Sequence, residues 1–341
     1  MSLTTSSTVV AATLSVVIIG RNEGARLERC LESIARMDRE GLQVDVIYVD
    51  SDSKDNSVEL ARRHGARVVA LHPIRPTAAL GRNAGWHESQ AEFVLFLDGD
   101  TILDPQFVQK ALPEFAQPRI ACVWGHRRER KPLRSIYSRV LDLDWIYAPG
   151  IVPFCGGDAI FRRSVLITAR GYDETLIAGE EPELCQRLQI LGHRILHIDT
   201  PMTEHDLAID RFAQYWKRAE RAGHAYAEVS TRLAGTKFPL WSEESRRNRL
   251  HALVLIAVPV IAISGSVLLR SAWPLLTLAL LPMVFLRSAW KARWKKADPI
   301  TLMLYGVHSH LQQIPIAVGQ WRYRVGRRKG RTMKLVEYKR S

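Results

Sequence analysis

Cysteine is scarce in this chain of 341 residues: only Cys30, Cys122, Cys155 and Cys185 occur, far apart and mostly in apolar surroundings. That scatter excludes the spacing of a zinc site and implies buried thiols in a reducing compartment. A basic-then-apolar leader is also missing, and Val9 to Ile19, followed by Asn22 and Glu23, reads as a strand. Acidic residues are scarce at the other end. From Arg287 to Ser341, 14 Lys or Arg face only Asp298 and Glu337, so this stretch carries +12 of the formal +13. A basic segment that follows apolar runs suits anionic headgroups and the positive-inside rule, and it argues against a nucleic-acid role. Formal charge is absent from Leu250 to Leu269, a run of twenty residues, and from Ala272 to Leu286, a run of fifteen. The first is long enough to span a bilayer; the second, at about 22 Å against roughly 30 Å of hydrocarbon, is short. A transmembrane or re-entrant hairpin over 249–291 is therefore expected, with a buried helical pair in a soluble domain as the alternative.

The first half of the chain alternates. Continuous apolar runs at Leu14 to Ile19, Val44 to Val49, Val68 to Leu71 and Phe93 to Leu97 read as buried strands. Between them, Glu23 to Met37, Ser57 to His64 and Ala78 to Glu88 carry helical spacing. This pattern predicts an α/β fold with a mostly parallel sheet and ligands at the carboxyl ends of the strands. Further on, the spacing predicts a helix over Phe107 to Phe115 and strands at Ile120 to Trp124, Phe154 to Phe161 and Arg194 to Ile198. A helix follows over Glu181 to Leu191, and a long amphipathic one within 206–229 is an ordinary surface helix or one lying on a bilayer. Thr301 to Val318 reads as interfacial or re-entrant, and 292–341 as a basic interfacial or cytoplasmic tail.

Several residue groups carry chemistry. Asp98 and Asp100, separated by Gly99 at the end of a buried strand, suit Mg²⁺ or Mn²⁺, with a plain Gly turn as the other reading. Asp50 at the tip of the second strand is placed to accept from a nucleobase N–H, while Ser53 and Asp55 are placed to cap the next helix. Arg82 suits a phosphate, a base edge or a surface ion pair. Gly179-Glu180-Glu181-Pro182-Glu183 either complements a helix dipole or supplies a general base. His205 is a further candidate ligand for a metal or a diphosphate, or a structural histidine.

Taken in order, these elements resemble the inverting family 2 glycosyltransferases of GT-A fold, in particular membrane-attached bacterial-type members. The resemblance rests on Ser15 to Glu23, Val49-Asp50 through Ser57, Arg82-Asn83-Ala84-Gly85 and Phe96 to Thr101. It continues through Gly156-Gly157, Gly171 to Glu174, and Gly179 to Leu184 with Arg187, covering roughly residues 13 to 205. The resemblance implies a nucleotide-diphospho-sugar donor, usually UDP-linked, with Asn22, Glu23, Asp50, Asp52, Arg82, Asp98 and Gly157 on the donor side. Asp50 would meet the base, and Asp100, with Asp98 and His205, the metal. Glu181 stands where the family usually has its catalytic aspartate, one methylene longer, so either Glu180 or Glu181 is the base. Asp52 stands where a glycine is common. Direct displacement by an acceptor hydroxyl would follow. The hairpin and the Arg-rich section from Arg127 to Arg139 suggest a lipid-linked, anionic acceptor such as a polyprenyl-diphosphate saccharide, used at the cytoplasmic face with both termini inside. A processive polysaccharide synthase is a competing reading, but Gln-x-x-Arg-Trp is not found and the apolar segments are few. A nucleotidyltransferase or a nucleotide-binding membrane protein is another.

Overall fold

The computed structural model describes residues 12–330. The start of the Val9 to Ile19 run and residues 331–341 of the expected tail lie outside the described residues. The chain begins with β1 (Ala12–Gly20), α1 (Ala25–Ala35), β2 (Leu42–Ser51), α2 (Ser57–Arg63), β3 (Arg67–Leu71), α3 (Ala78–Glu88) and β4 (Phe93–Asp98). β1 lies between β2 and β4, parallel to both, and Leu14, Val16, Val17 and Ile18 are fully buried. A strand covered on both faces needs apolar residues throughout, which is why these runs do not alternate. Leu27, Cys30, Leu31 and Ile34 give α1 its buried stripe. Thr77 caps α3 by accepting from the Leu80 amide at 3.1 Å.

Past Asp98 come β5 (Thr101–Leu103), α4 (Phe107–Ala111), β6 (Ile120–Glu129), α5 (Ile136–Asp144), β7 (Gly150–Val152), β8 (Ala159–Arg162), α6 (Arg163–Ala169), α7 (Glu180–Ile190) and β9 (Arg194–His205). The sheet order is β3-β2-β1-β4-β8-β6-β9-β5, with β7 on β9; β8 reverses direction against both β4 and β6. The sheet is thus parallel on the β3 to β4 side and mixed beyond it. The helix expected over Phe107 to Phe115 is α4 followed by a 3₁₀ turn at Leu112–Ala116, because Pro113 has no N–H for an α-helical bond.

The C-terminal part holds α8 (Phe212–Arg232), α9 (Ser242–Leu269), α10 (Leu280–Lys291), α11 (Pro299–Leu311) and α12 (Gln313–Arg328). α9 and the arm Trp273–Lys295 are long and apolar enough to cross a membrane. Their apolar side chains face outward: Val267, Leu268 and Trp273 are 74%, 83% and 78% exposed. A buried pair in a soluble core would show the reverse. The stretch read as a tail from 292 opens on a 3₁₀ turn at Ala292–Lys295 and continues through α11 and α12, which pack back on the rest of the chain. Asp144 on α5 accepts from Tyr305 and meets His308 on α11, at 3.0 and 3.1 Å. α12 crosses α8 at backbone contact, since a Cβ on Gly223 would lie 2.0 Å from the Ile316 carbonyl oxygen and one on Gly319 2.0 Å from that of Glu220.

Candidate active site

Strand ends bring the carboxylates together. β4 ends at Asp98, opposite Ile19 of β1, and the chain turns at Gly99 into β5. Thr101 of β5 pairs with His205 at the end of β9. Ala159 of β8 stands opposite Phe96, so Asp158 just before it reaches the same edge. Asp98, Asp158 and His205 each offer a ligand atom within 4.8 Å of the others. His205 Nε2 lies 2.5 Å from Asp158 Oδ2, and its Nδ1 lies 3.8 Å from Asp100 Oδ1, too long for a hydrogen bond. The Asp98 amide and the Thr203 hydroxyl donate to Asp158 at 3.1 and 2.8 Å. Burial alone would raise the Asp158 carboxyl, but His205 and Arg127 outweigh it and hold it well below the usual carboxylate range.

Behind this group lies Arg82. It is 2% exposed, and Asp98, Glu180 and Glu181 share its guanidinium at 3.0, 3.0 and 2.9 Å. Burial opposes its charge, and the three carboxylates restore it. Gly157 makes room for this meeting: a Cβ there would sit 2.6 Å from Arg82 Nη2 and 3.3 Å from Glu181 Oε1. Both glutamates open α7, where the positive end of the helix dipole also favours them. Glu181 keeps 15% side-chain exposure against 6% for Glu180, so it is the more open of the two. Burial and Glu180 push the Glu181 carboxyl up to about 7, with Arg82 opposing.

The loops after β1 and β2 form the other wall. Asp50 is buried and accepts from the Tyr48 hydroxyl at 3.0 Å and the Ser53 amide at 2.8 Å. Asn22 Oδ1 accepts from the Lys54 amide at 2.7 Å, and the Asn22 amide donates to Ser53 Oγ at 2.9 Å. The Glu23 amide donates to Ser57 Oγ at 3.2 Å, while its carboxylate meets Arg26 at 2.8 Å. Glu23 also lies against the Asp98–Asp100 turn, since a Cβ on Gly99 would be 3.1 Å from its Cγ. Asp52 takes φ 65°, the left-handed region that glycine favours and aspartate tolerates, with Lys54 at 2.9 Å and His72 at 3.1 Å.

The chain matches the Glycosyl transferase family 2 pattern over residues 15–168 and the Glycosyl transferase family group 2 pattern over residues 93–305. It belongs to glycosyltransferase family 2. Among curated relatives, the pre-mycofactocin glycosyltransferase of Mycobacterium tuberculosis is 30% identical over 205 residues, 57% of this chain and 42% of that protein. Validoxylamine A glucosyltransferase of Streptomyces hygroscopicus subsp. limoneus is 29% identical over 136 residues, 37% of this chain and 30% of that protein. The glycosyltransferase thus spans less than half the length of these relatives. A solved mannosyltransferase from Pyrobaculum calidifontis, in complex with GDP-Man and Mn²⁺, shares the fold at TM-score 0.65 and 19% identity, over 91% of this chain and 86% of that one. TarS of S. aureus in complex with UDP-GlcNAc does so at TM-score 0.52 and 14% identity, over 92% of each chain. The fold is GT-A-like.

Two residues of the glycosyltransferase escaped the sequence reading as site groups. Asp158 directly follows the Gly156-Gly157 pair but carries no spacing of its own that marks it. Arg127 was one basic residue among many. Its Nε lies 3.5 Å from Asp158, its guanidinium stacks 5.3 Å over Trp145, and its Nη2 is buried with no hydrogen-bond partner. The rest of the Arg-rich section is a weaker pointer to an anionic acceptor than its composition suggested. Arg128 pairs with Asp142, Arg134 with Asp210 and Arg139 with Asp298, all within the chain. The donor set fits a divalent cation. Carboxylates joined by one imidazole suit Mn²⁺ somewhat better than Mg²⁺, which prefers an all-oxygen shell.

Proposed function

We propose that this glycosyltransferase transfers a sugar, with inversion, from a UDP-linked nucleotide-diphospho-sugar to a hydroxyl of a lipid-linked acceptor at the membrane surface. The observation that carries the reading is Glu181: comparatively open, raised in pKa, and tied through Arg82 to Asp98 of the cation group. Asp98, Asp100 and His205 would hold Mn²⁺ or Mg²⁺, with Asp158 accepting from His205 Nε2 and so fixing its tautomer. When bound, such an ion neutralises charge on the departing diphosphate.

The chain's own residues do the rest. Glu181 takes the proton of the acceptor hydroxyl as that oxygen bonds to the anomeric carbon; the bond from that carbon to the diphosphate oxygen breaks, and the electron pair leaves with the nucleotide. Glu180 anchors Arg82 and so sets where Glu181 sits. Arg127 supplies an unmet N–H to the leaving diphosphate. Asp50, Asn22 and Asp52 border the place for the base and ribose. A cation complexed with a nucleotide sugar in a mannosyltransferase of the same fold supports the donor class. The outward apolar faces of α9 and α10 support a lipid-linked acceptor presented at the membrane, such as a polyprenyl-diphosphate saccharide. The test is a panel of UDP- and GDP-sugars incubated with Mn²⁺, the full chain and bacterial membranes, with mass analysis of the products. Transfer from a UDP-sugar into lipid-soluble material is expected. Incorporation into water-soluble material alone rejects the lipid acceptor, and transfer only from GDP-sugars rejects the UDP assignment.

A further inference from the structure

A cavity of about 470 Å³ lies outside the catalytic group, between the amino end of α3, the loop before α7 and the facing sides of α8 and α12. Three guanidinium groups line it, those of Arg75, Arg232 and Arg327. Arg232 is answered by Glu228 at 2.6 Å and Asp173 at 2.5 Å. Among the described residues, Arg75 and Arg327 have no acidic partner, and Arg75 Nε is buried without a hydrogen-bond acceptor. The second lining carboxylate, Glu174, accepts from Asn83 Nδ2 at 2.9 Å. Glu228 answers Arg232 within the cavity and its Oε2 lies 3.4 Å from His224 Nδ1 without a hydrogen bond, so three guanidinium groups face two carboxylates and, among the described residues, two of the three have no acidic partner. Thr77 and Leu80 bring the amino end of α3 to the wall, which adds partial positive charge. His224 faces the same space; burial, Arg75 and Arg232 push its pKa down to about 4, so the ring is neutral at neutral pH.

An unmet guanidinium N–H beside a second, solvent-exposed guanidinium with no acidic partner is a place where an oxyanion is stabilised. We propose that this cavity is a second anion site, which binds a phosphate-bearing group between Arg75 and Arg327. It goes beyond the transferase reading, since none of its cations belongs to the catalytic group. Its wall nevertheless reaches that group. Arg232 holds Asp173 and Thr175, Arg221 donates to the Ile177 carbonyl at 3.0 Å, and the same loop runs on into Gly179, Glu180 and Glu181. Occupancy of the cavity therefore bears on the segment that sets Glu181. The phosphate has two possible sources: a soluble phosphate compound, or a lipid headgroup reached from the apolar helices.

The experiment uses the full chain in phosphatidylcholine nanodiscs, with EDTA and no nucleotide sugar, and follows inorganic diphosphate binding by calorimetry. Saturable binding is expected, weakened about tenfold or more in R75Q and in R327Q, largely kept in R75K and unchanged in D98N. Repeating it in phosphatidylglycerol nanodiscs separates the sources. Loss of diphosphate binding there supports the site as a headgroup site, and undiminished binding supports it as a site for a soluble phosphate. No saturable binding by the unmodified chain overturns the proposal. So does binding unaffected by either Gln variant, or binding lost in D98N. Because no sugar donor is present, failure here leaves the transferase reading intact, and failure of transfer leaves this test intact.

Discussion

At the scale of single residues, the two glutamates at the start of α7 differ in their surroundings, and the proposed base, Glu181, is the one to test. Glu180 is nearly enclosed by its pairing with Arg82, whereas Glu181 is more open and has its pKa pushed up to about 7. A general base must be unprotonated to act, so the sign is clear: kcat/KM should rise with pH up to about 7 and level off above it. E181Q should lower kcat by about 10²- to 10⁴-fold with little change in donor affinity, and should remove that pH limb. E180Q should lower kcat less and keep the limb, which rapid-mix kinetics across pH will show; a limb that survives in E181Q alone reassigns the base. Gly157→Ala is a separate probe. Its Cβ would stand 2.6 Å from Arg82 Nη2, so the fold should persist while Arg82 and Glu181 separate and activity falls. Circular dichroism beside a turnover assay distinguishes this from unfolding. The contiguous groups, Asp98-Gly99-Asp100 and Glu180-Glu181, were legible in the sequence because each follows or opens a regular element. Asp158 and Arg127 were not, since they meet only through the β4-β8-β6 order, and no local spacing encodes that.

At the scale of elements, the parallel half of the sheet was legible because buried strands need unbroken apolar runs. β9 was read as ending at Ile198 but continues to His205, with register shifts against β6 on either side of His126. Polar residues and Pro201 hide that extension, although it is what brings His205 to Thr101. α12 illustrates the opposite problem: its basic residues suggest an interfacial or cytoplasmic tail, while its small residues make the contact. Gly223 and Gly319 let α8 and α12 touch along their backbones. A side chain at either position meets main chain, which cannot yield as a flexible side chain would. G319L should therefore destabilise the protein by about 1–3 kcal/mol or more, and G223V similarly. Thermal unfolding in detergent checks this, and an unchanged Tm in both variants would mean that α12 does not dock on α8.

At the scale of the whole molecule, the two long apolar helices bear on where the proposed chemistry takes place. Leu250 to Leu269 rises about 30 Å as a helix, which matches the hydrocarbon thickness. Leu268 near its far end and Trp273 at the start of the second arm are 83% and 78% exposed, which is costly in water and favourable in lipid. Arg270 and Ser271 then form the tip of the hairpin, and Arg287, Lys291 and Arg293 stand toward the end of the second arm, Trp273–Lys295. If α9 spans the bilayer, the tip emerges on the face opposite the catalytic domain, and the positive residues stay on the catalytic side as the positive-inside rule requires. A cysteine at Ser271 tests this directly, because Cys30, Cys122, Cys155 and Cys185 are all buried and contribute little background. In sealed right-side-out membranes, S271C should react with a membrane-impermeant maleimide from the outside, whereas K291C should react only after permeabilisation. Labelling of both from the same side would make the hairpin re-entrant. In that case the hairpin would sit within one leaflet, and the proposed lipid-linked acceptor would be met on the face from which both cysteines react.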